Sequence, residues 1–337
     1  METFNLKGEV ILLRIGFIGT GGFTKHHVQV LQDLENVEVA GFVGSSLEKA
    51  EQFAAQYTGA VGYSQLETML EQEKLDAVYI CVPPMAHENY EALLIDYGIP
   101  FLVEKPLGID AQQVRKVKEK VEQHHHLTAV GYHLRYSDTI AKVQEILENA
   151  ETAMAAGKWM GSMPGVYWWR NQQQSGGQFN EQTTHITDLI RYLFGKVKSV
   201  YAQETNQLTN KNDSSVTVAD VGLFTLTMES GMLVQIMNTS ALPDGTGDVG
   251  IEIYTNQGII DWKMGHVDWR KPGKQERYEQ QQNPYKRETE AFLHAVTTGD
   301  RSKILSTYED GWHSFKVTAA ATKSLKEKRV VDVDEIE

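Results

Sequence analysis

From residue 10 to about residue 135, short runs of β-branched, leucine and aromatic residues alternate with stretches of helical periodicity. The runs are Ile11–Ile18, Val37–Val43, Asp76–Val82, Pro100–Glu104 and Leu127–Tyr132. VILLRIGFI and DAVYICV are almost unbroken in their apolar character, which suits strands covered on both faces. Helix starts are marked between them. Ser45-Ser46-Leu47-Glu48 and Ser64-Gln65-Leu66-Glu67 read as capping boxes, and Asp110-Ala111-Gln112-Gln113 is close to one. Strand and helix in alternation, with strands of this kind, predict a doubly wound parallel sheet.

Past Tyr136 the texture changes. Ser137–Asn149 predicts a connecting helix, and longer strand-like runs follow at Thr152–Met160, Val200–Gln207, Val216–Met228, Met232–Ser240, Gly250–Tyr254 and Ile259–Met264. Glu229-Ser230-Gly231 and Asn256-Gln257-Gly258 stand where hairpin turns belong, so antiparallel pairing is expected. Helical periodicity returns only over Glu181–Phe194, Pro284–Thr298 and Tyr308–Glu327. The expected architecture is a doubly wound α/β domain over residues 1–135, then an α+β domain over 136–337 with an open, mainly antiparallel sheet.

Composition narrows the function. A chain of 337 residues fits about two domains, and 41% apolar with 23% charged residues is the mix of a soluble globular protein. Thirty-two Lys and Arg stand against 45 Asp and Glu, a formal charge of −13, so nucleic acid and anionic membrane surfaces are excluded as default partners. The single cysteine, Cys81, rules out an intramolecular disulfide, fits a reducing compartment and reads as a small buried apolar group. The N-terminal apolar run is interrupted by Arg14 and flows into a glycine turn, which predicts a buried strand rather than a signal peptide. No stretch approaches the ~18 apolar residues of a membrane span. A cytoplasmic setting is expected. The triplet His124-His125-His126 sits between a helix and a strand and reads as a solvated loop, ahead of any metal site.

The strand Ile11–Ile18 runs into Gly19-Thr20-Gly21-Gly22-Phe23-Thr24, followed by the helical Lys25–Leu34. The first two glycines match a dinucleotide fingerprint: one permits the tight turn, the next lets a pyrophosphate approach the backbone at a helix N-terminus. Thr24 stands where a third Gly or Ala is usual. The second strand ends Val43-Gly44-Ser45-Ser46 with no carboxylate to bind an adenosine 2′-hydroxyl and repel a 2′-phosphate. Ser45, Ser46 and Lys49 are candidates to receive that phosphate, although the serines would equally serve as helix caps. NADP(H) is therefore the favoured cofactor, with NAD(H) open.

Five motifs in order resemble the glucose–fructose oxidoreductase / inositol dehydrogenase (Gfo/Idh/MocA) family. They are IGFIGTGG, CVPPMAH at Cys81–His87, FLVEKPL at Phe101–Leu107, VGYHLRY at Val130–Tyr136 and SGGQFNEQTTHITDLIRYLFG at Ser175–Gly195, with YEDGWHSFKVTAAATKSL near the C-terminus. The resemblance implies a Rossmann domain followed by an open-sheet domain. It also implies NAD(P)-dependent hydride transfer to or from a sugar, polyol or related hydroxyl-bearing compound. It makes Lys105, His185 and Glu181 the catalytic set, Glu181 standing where the family most often has Asp and expected to orient the imidazole or bind a substrate hydroxyl. With the glycine turn and the second-strand end already read, the cofactor-binding candidates are Gly19, Gly21, Gly22, Phe23, Thr24, Ser45, Ser46 and Lys49, to which the resemblance adds Pro83, His87, Glu104 and Lys105.

A lysine after a strand of the parallel sheet can hydrogen-bond the reacting oxygen and stabilise charge developing there. An imidazole, with an unperturbed pKa of about 6.5, suits proton exchange with a hydroxyl near neutral pH. Glu181, His185 and Asp188 stand at i, i+4 and i+7, so one helix is expected to carry them on one face, with Tyr192 completing the stripe. Such a stripe is also what a solvated helix face looks like, and Glu181 with His185 could begin a metal site, for which no further ligand cluster exists in the sequence. No metal is expected. Aromatic and amide residues from Tyr167 to Asn180 suit a carbohydrate wall. Tyr132, Trp168, Arg170, Asn180, Gln182 and Asp188 are the substrate-binding candidates, and core packing is the competing reading of the tryptophans. Arg170 and Gln182 leave an acidic or phosphorylated substrate open. Two other readings remain: a nucleotide-dependent glycosidase with no net redox change, and a non-catalytic nucleotide-binding regulator. Apolar alternation over Val216–Met237 predicts a homodimer or homotetramer assembled through the second sheet.

Overall fold

The computed structural model describes residues 12–209 and 213–337. The chain forms two compact units. Of the described residues, one takes those up to Lys105 together with Lys116–Gly131 and Tyr285–Glu309; the other takes those within Pro106–Arg115, Tyr132–Pro284 and Asp310–Glu337.

The first unit is built on six parallel strands, β1 (Leu13–Ile18), β2 (Val37–Val43), β3 (Val61–Tyr63), β4 (Ala77–Ile80), β5 (Phe101–Val103) and β6 (Thr128–Val130). Their order is β3-β2-β1-β4-β5-β6, so the strand order reverses beside β1, the position at which such sheets bind ligands. The helices α1 (Gly22–Gln32), α2 (Leu47–Ala54), α3 (Leu66–Gln72), α4 (Tyr90–Tyr97) and α5 (Ala111–Gln123) supply the crossovers that parallel pairing requires. Every residue of β4 and of β5 is buried, as strands covered on both faces must be. Phe17 stacks on Phe42 and on Tyr79 at ring-centroid distances of 5.6 and 5.2 Å. The helix Pro284–Thr298 closes this core with Phe292 edge-on to Tyr79.

Local signals come out unevenly. Asp110 caps α5 as expected, its Oδ1 accepting from the amides of Gln112 and Gln113 at 2.8 and 3.1 Å. The α2 cap is Ser46, one residue later than the expected box, and its hydroxyl accepts from Lys49 N. The cap of α3 is Gln65, without a side-chain bond, so Ser64 and Glu67 do not form the expected box. Strand β3 gave no signal because it is three residues long and centred on Gly62, where a Cβ would lie 2.4 Å from the Glu51 amide nitrogen. Glycine there lets α2 lie against the sheet. Of the expected strand Ile11–Ile18, Ile11 lies outside the described residues.

The second unit carries a nine-stranded sheet. Its strands are β7 (Thr152–Met160), β8 (Val197–Thr205), β9 (Val221–Met228), β10 (Leu233–Thr239), β11 (Asp248–Thr255), β12 (Gly258–Lys263), β13 (His266–Lys271), β14 (Lys274–Glu279) and β15 (Val331–Asp332). The order is β14-β13-β12-β11-β7-β10-β9-β8-β15, antiparallel throughout except for the β7–β10 pair. Both expected hairpin turns exist. Gly231 takes φ +87 between β9 and β10, and Gly258 opens β12 opposite Thr255. Strands β13 and β14, HVDWRK and KQERYE, escaped the sequence reading because they are polar, a composition suited to a sheet edge.

Helices α6 (Asp138–Leu147), α7 (Gln172–Ser175), α8 (Gln178–Glu181) and α9 (Thr184–Phe194) belong to this unit. Ile186 of α9 presses against Gly157 of β7, where any Cβ would sit 2.4 Å from its Cγ2, so the small residue sets how closely the helix lies on the sheet. The expected continuous helix Glu181–Phe194 is broken: α8 ends at Glu181, and α9 begins three residues later, at Thr184. At the break the Thr183 hydroxyl accepts from Asn238 Nδ2 of β10 at 2.8 Å. Glu181 therefore does not share a helix face with His185 and Asp188. Among the described residues, no helix is long and apolar enough to cross a membrane.

Candidate active site

The turn after β1 is built around Gly19. Its φ is +109, and a Cβ there would lie 2.4 Å from the Cys81 carbonyl oxygen, so only glycine fits. Thr24, fully buried, donates its hydroxyl to Gly19 O at 3.0 Å. The departure from a third small residue thus staples the turn from within. Gly21 is the N-cap of α1, with no side-chain cap and no acidic residue in the first turn. A Cβ on Gly21 or Gly22 would meet nothing within 4 Å. An uncapped helix N-terminus facing open space suits the pyrophosphate of a dinucleotide, whose oxygens can accept from the first-turn amides.

Two residues beyond the end of β5, Lys105 holds its ammonium 5.8 Å from the centre of the Phe23 ring, in the first turn of α1. Glu104 is 5% exposed, with one carboxylate oxygen 2.7 Å from His27 Nε2 and the other accepting from the Lys105 amide at 3.2 Å. Ser45, Ser46 and Lys49 are exposed at the start of α2, with Lys49 Nζ 3.3 Å from Ser45 Oγ. Pro83 leads into the single turn Pro84–Ala86. His87 is buried and its Nδ1 meets Glu91 Oε1 at 2.5 Å.

In the second unit His185 is 5% exposed and boxed by three rings. Trp159 stacks on it at 5.5 Å and 17°, while His133 and Tyr132 stand edge-on at 5.1 and 6.0 Å. The Tyr132 hydroxyl meets Thr184 Oγ1 at 2.9 Å, and burial, then the Asp188 charge, push its pKa up, so it stays a neutral phenol. Glu181 accepts from the indole nitrogen of the buried Trp169 at 2.8 Å. A tryptophan N–H sunk in a core needs such an acceptor.

Two of the expected substrate residues are committed to the protein itself. Asp188 takes a two-pronged bond from Arg135 at 2.8 and 2.7 Å and a third from Ser314 Oγ at 2.6 Å. Asn180 donates to the carbonyls of Gly108 and Ser175 and accepts from the Thr318 hydroxyl. Others keep capacity to spare. Arg170 Nε, Gln174 Oε1, Gln182 Oε1 and both polar atoms of Gln178 are buried without a hydrogen-bond partner among the described residues. Trp168 is half-buried, and Arg170 also lies 3.8 Å from Asp213. Gln178 falls within the expected aromatic and amide wall, but His27, His133 and Trp159 were missed in the sequence. Each of these three sits inside a motif, helix or strand read there for its pattern alone.

Together, the β3-β2-β1-β4-β5-β6 sheet and its glycine turn have the form of a nucleotide-binding Rossmann unit. The family model "Oxidoreductase family, NAD-binding Rossmann fold" matches residues 13–132, and that for the GFO/IDH/MocA C-terminal domain matches residues 151–261. The chain belongs to the Gfo/Idh/MocA family of NAD-binding oxidoreductases. A myo-inositol 2-dehydrogenase of Thermotoga maritima is 23% identical, over 96% of this chain and 99% of its own. Two solved structures share the fold. GenD2 from gentamicin A biosynthesis, in complex with NAD, has a TM-score of 0.82 at 20% identity, covering 96% of this chain and 97% of its own. A myo-inositol dehydrogenase of Corynebacterium glutamicum has 0.78 at 20%, covering 96% and 99%.

Proposed function

We propose that this chain is an NAD(P)-dependent dehydrogenase that interconverts a CH–OH group and a carbonyl on a sugar, polyol or related compound. The observation that carries the reading is the Lys105 ammonium held over Phe23, in the first turn of a helix whose N-terminus no side chain caps. The bound nicotinamide supplies a hydride acceptor or donor. In the oxidative direction Lys105 holds the substrate oxygen and stabilises its growing negative charge, while His185 takes the hydroxyl proton. The Trp159, His133 and Tyr132 rings fix the plane of that imidazole and keep water from it. In the reductive direction the same imidazole returns the proton.

NADP(H) is the preferred cofactor in this reading. Ser45, Ser46 and Lys49 stand exposed where a carboxylate would exclude a 2′-phosphate. The orphaned buried atoms of Gln174, Gln178 and Gln182 support a polyhydroxylated substrate, whose hydroxyls both donate and accept. The first unit is read as the nucleotide-binding part and the second as the part that supplies substrate contacts and self-association. The cognate inositol reaction of the Thermotoga relative gives the starting point for the substrate search.

Incubation with NADP+ or NAD+ and a panel of sugars, inositols and sugar acids, followed through reduced nicotinamide, tests the reading. Reduced cofactor is expected in step with carbonyl product, and faster with NADP+. Lys105→Ala and His185→Ala are each expected to lower kcat by about 100-fold or more with cofactor affinity within about threefold. Normal turnover by both variants would end this mechanism.

A further inference from the structure

We propose that His27 is a positioning residue for Lys105, acting through Glu104; the catalytic consequence rests on the reading of Lys105 given above. On α1, Phe23 and His27 are four residues apart and so share one face. That face holds two consecutive residues of the loop after β5. The Phe23 ring lies 5.8 Å from the Lys105 ammonium, and His27 Nε2 lies 2.7 Å from Glu104 Oε1. A carboxylate only accepts, so Nε2 carries the hydrogen and donates it. The other imidazole nitrogen, Nδ1, is buried with no partner among the described residues. The His27 side chain is fully buried, with Tyr79 and Tyr285 around it at centroid distances of 5.3 and 6.0 Å.

Glu104 passes the constraint on. Its second oxygen accepts from the Lys105 backbone amide at 3.2 Å. Room for the carboxylate exists because residue 131 is glycine: a Cβ there would fall 2.8 to 2.9 Å from the carboxylate atoms. The series His27, Glu104, Lys105 thus ties the helix that opens at the glycine turn to the backbone from which the lysine hangs. One rigid element sets both, so the position of the ammonium follows that of α1 rather than the wander of a loop. A solvent-exposed ion pair would not transmit position in this way. Here both partners are at most 6% exposed in their side chains.

The test reads the lysine's own reactivity in the full-length protein. Acetylation of Lys105 by N-hydroxysuccinimidyl acetate is timed by peptide mass spectrometry, with the exposed Lys303 as control. His27→Leu is expected to change the Lys105 rate about fivefold or more, with Lys303 and NADPH binding by fluorescence titration little altered. His27→Gln, which keeps an N–H donor, is expected to restore the rate. An unchanged Lys105 rate in a folded His27→Leu protein, a uniform change at every lysine, or a failure of His27→Gln to restore it would overturn the proposal. If His27→Leu does not fold, Glu104→Gln decides: the same selective change at Lys105 supports the proposal and its absence overturns it. Turnover is not read here. Normal activity of Lys105→Ala would remove the catalytic role of the lysine and leave its positioning by His27 a separate result.

Discussion

An alanine at position 19 would need its Cβ 2.4 Å from the Cys81 carbonyl on a backbone with φ +109, whereas one at position 21 would meet nothing within 4 Å at φ −95. The two glycines of one turn therefore answer to different demands, one of the fold and one of the ligand. Gly19→Ala is expected to destabilise by about 3 kcal/mol or more, seen as a lower urea midpoint, because a strained φ adds to a backbone clash. Gly21→Ala is expected to cost about 1 kcal/mol or less, while NADPH affinity falls about tenfold, because its methyl group occupies the approach of the phosphate to the α1 amides. Equal stability losses, or nucleotide binding unaffected by Gly21→Ala, would refute the division of labour. Single residues also explain why the substrate wall was only half legible. Arg170 and Gln182 keep unpartnered buried atoms, but Asp188 and Asn180, equally polar, are consumed by Arg135, Ser314, Gly108 and Thr318. Which polar side chain is left over depends on partners tens of residues away.

Elements show the same limit at larger size. Five of the six parallel strands were legible because double-sided burial writes itself as apolar runs, and the glycine turn because the backbone at Gly19 excludes other residues. The break before α9 was not, since neither proline nor glycine marks residues 182 and 183, and the bond from Asn238 spans 55 residues. Strand β9 begins at Val221, five residues later than its apolar pattern, because Asp220 is taken up by the segment after β8. The buried Asp220 side chain accepts from the backbone amides of Gln207, Leu208 and Thr209 and from the Thr209 hydroxyl. Burial pushes this carboxyl up, but the hydrogen bonds outweigh it and hold the pKa at about 2, below the ordinary 3.8. The folded state binds the proton more weakly than the unfolded chain. The stability Asp220 contributes is therefore complete above the ordinary value and is lost as pH falls from about 4 through about 2. A shift of this size corresponds to about 2 kcal/mol at neutral pH. Asp220→Ala is expected to lower stability by that order at pH 7, by less at pH 3, and to converge with wild type near pH 2. A difference independent of pH would assign the loss to packing instead.

On the scale of the whole molecule, the second sheet has one face that its own unit covers and one that it does not. In β9 the residues Gly222, Phe224, Leu226 and Met228 are buried while Leu223 is 46% exposed; in β10 Val234, Ile236 and Asn238 are buried while Leu233 is 54% exposed. Strand register lines up Thr227, Leu233, Met154, Tyr254 and Ile259 across five neighbouring strands on the uncovered side. Met154 and Tyr201 are also well exposed there, at 41% and 36%. A row of this kind can be matched by a second copy of itself, because a twofold axis sets each residue against its own equivalent region. Self-association through this face is the expected state, and Leu233→Lys tests it at the most exposed residue of the row. A lysine there keeps the strand solvated on its open side and leaves the buried alternation alone, so the monomer is expected to stay folded, with an unchanged circular dichroism spectrum. Light scattering coupled to gel filtration is expected to fall from a multiple of 37.9 kDa to that mass. A wild-type chain that already elutes as a monomer, or a variant that keeps the wild-type mass, would locate the contact elsewhere or remove it.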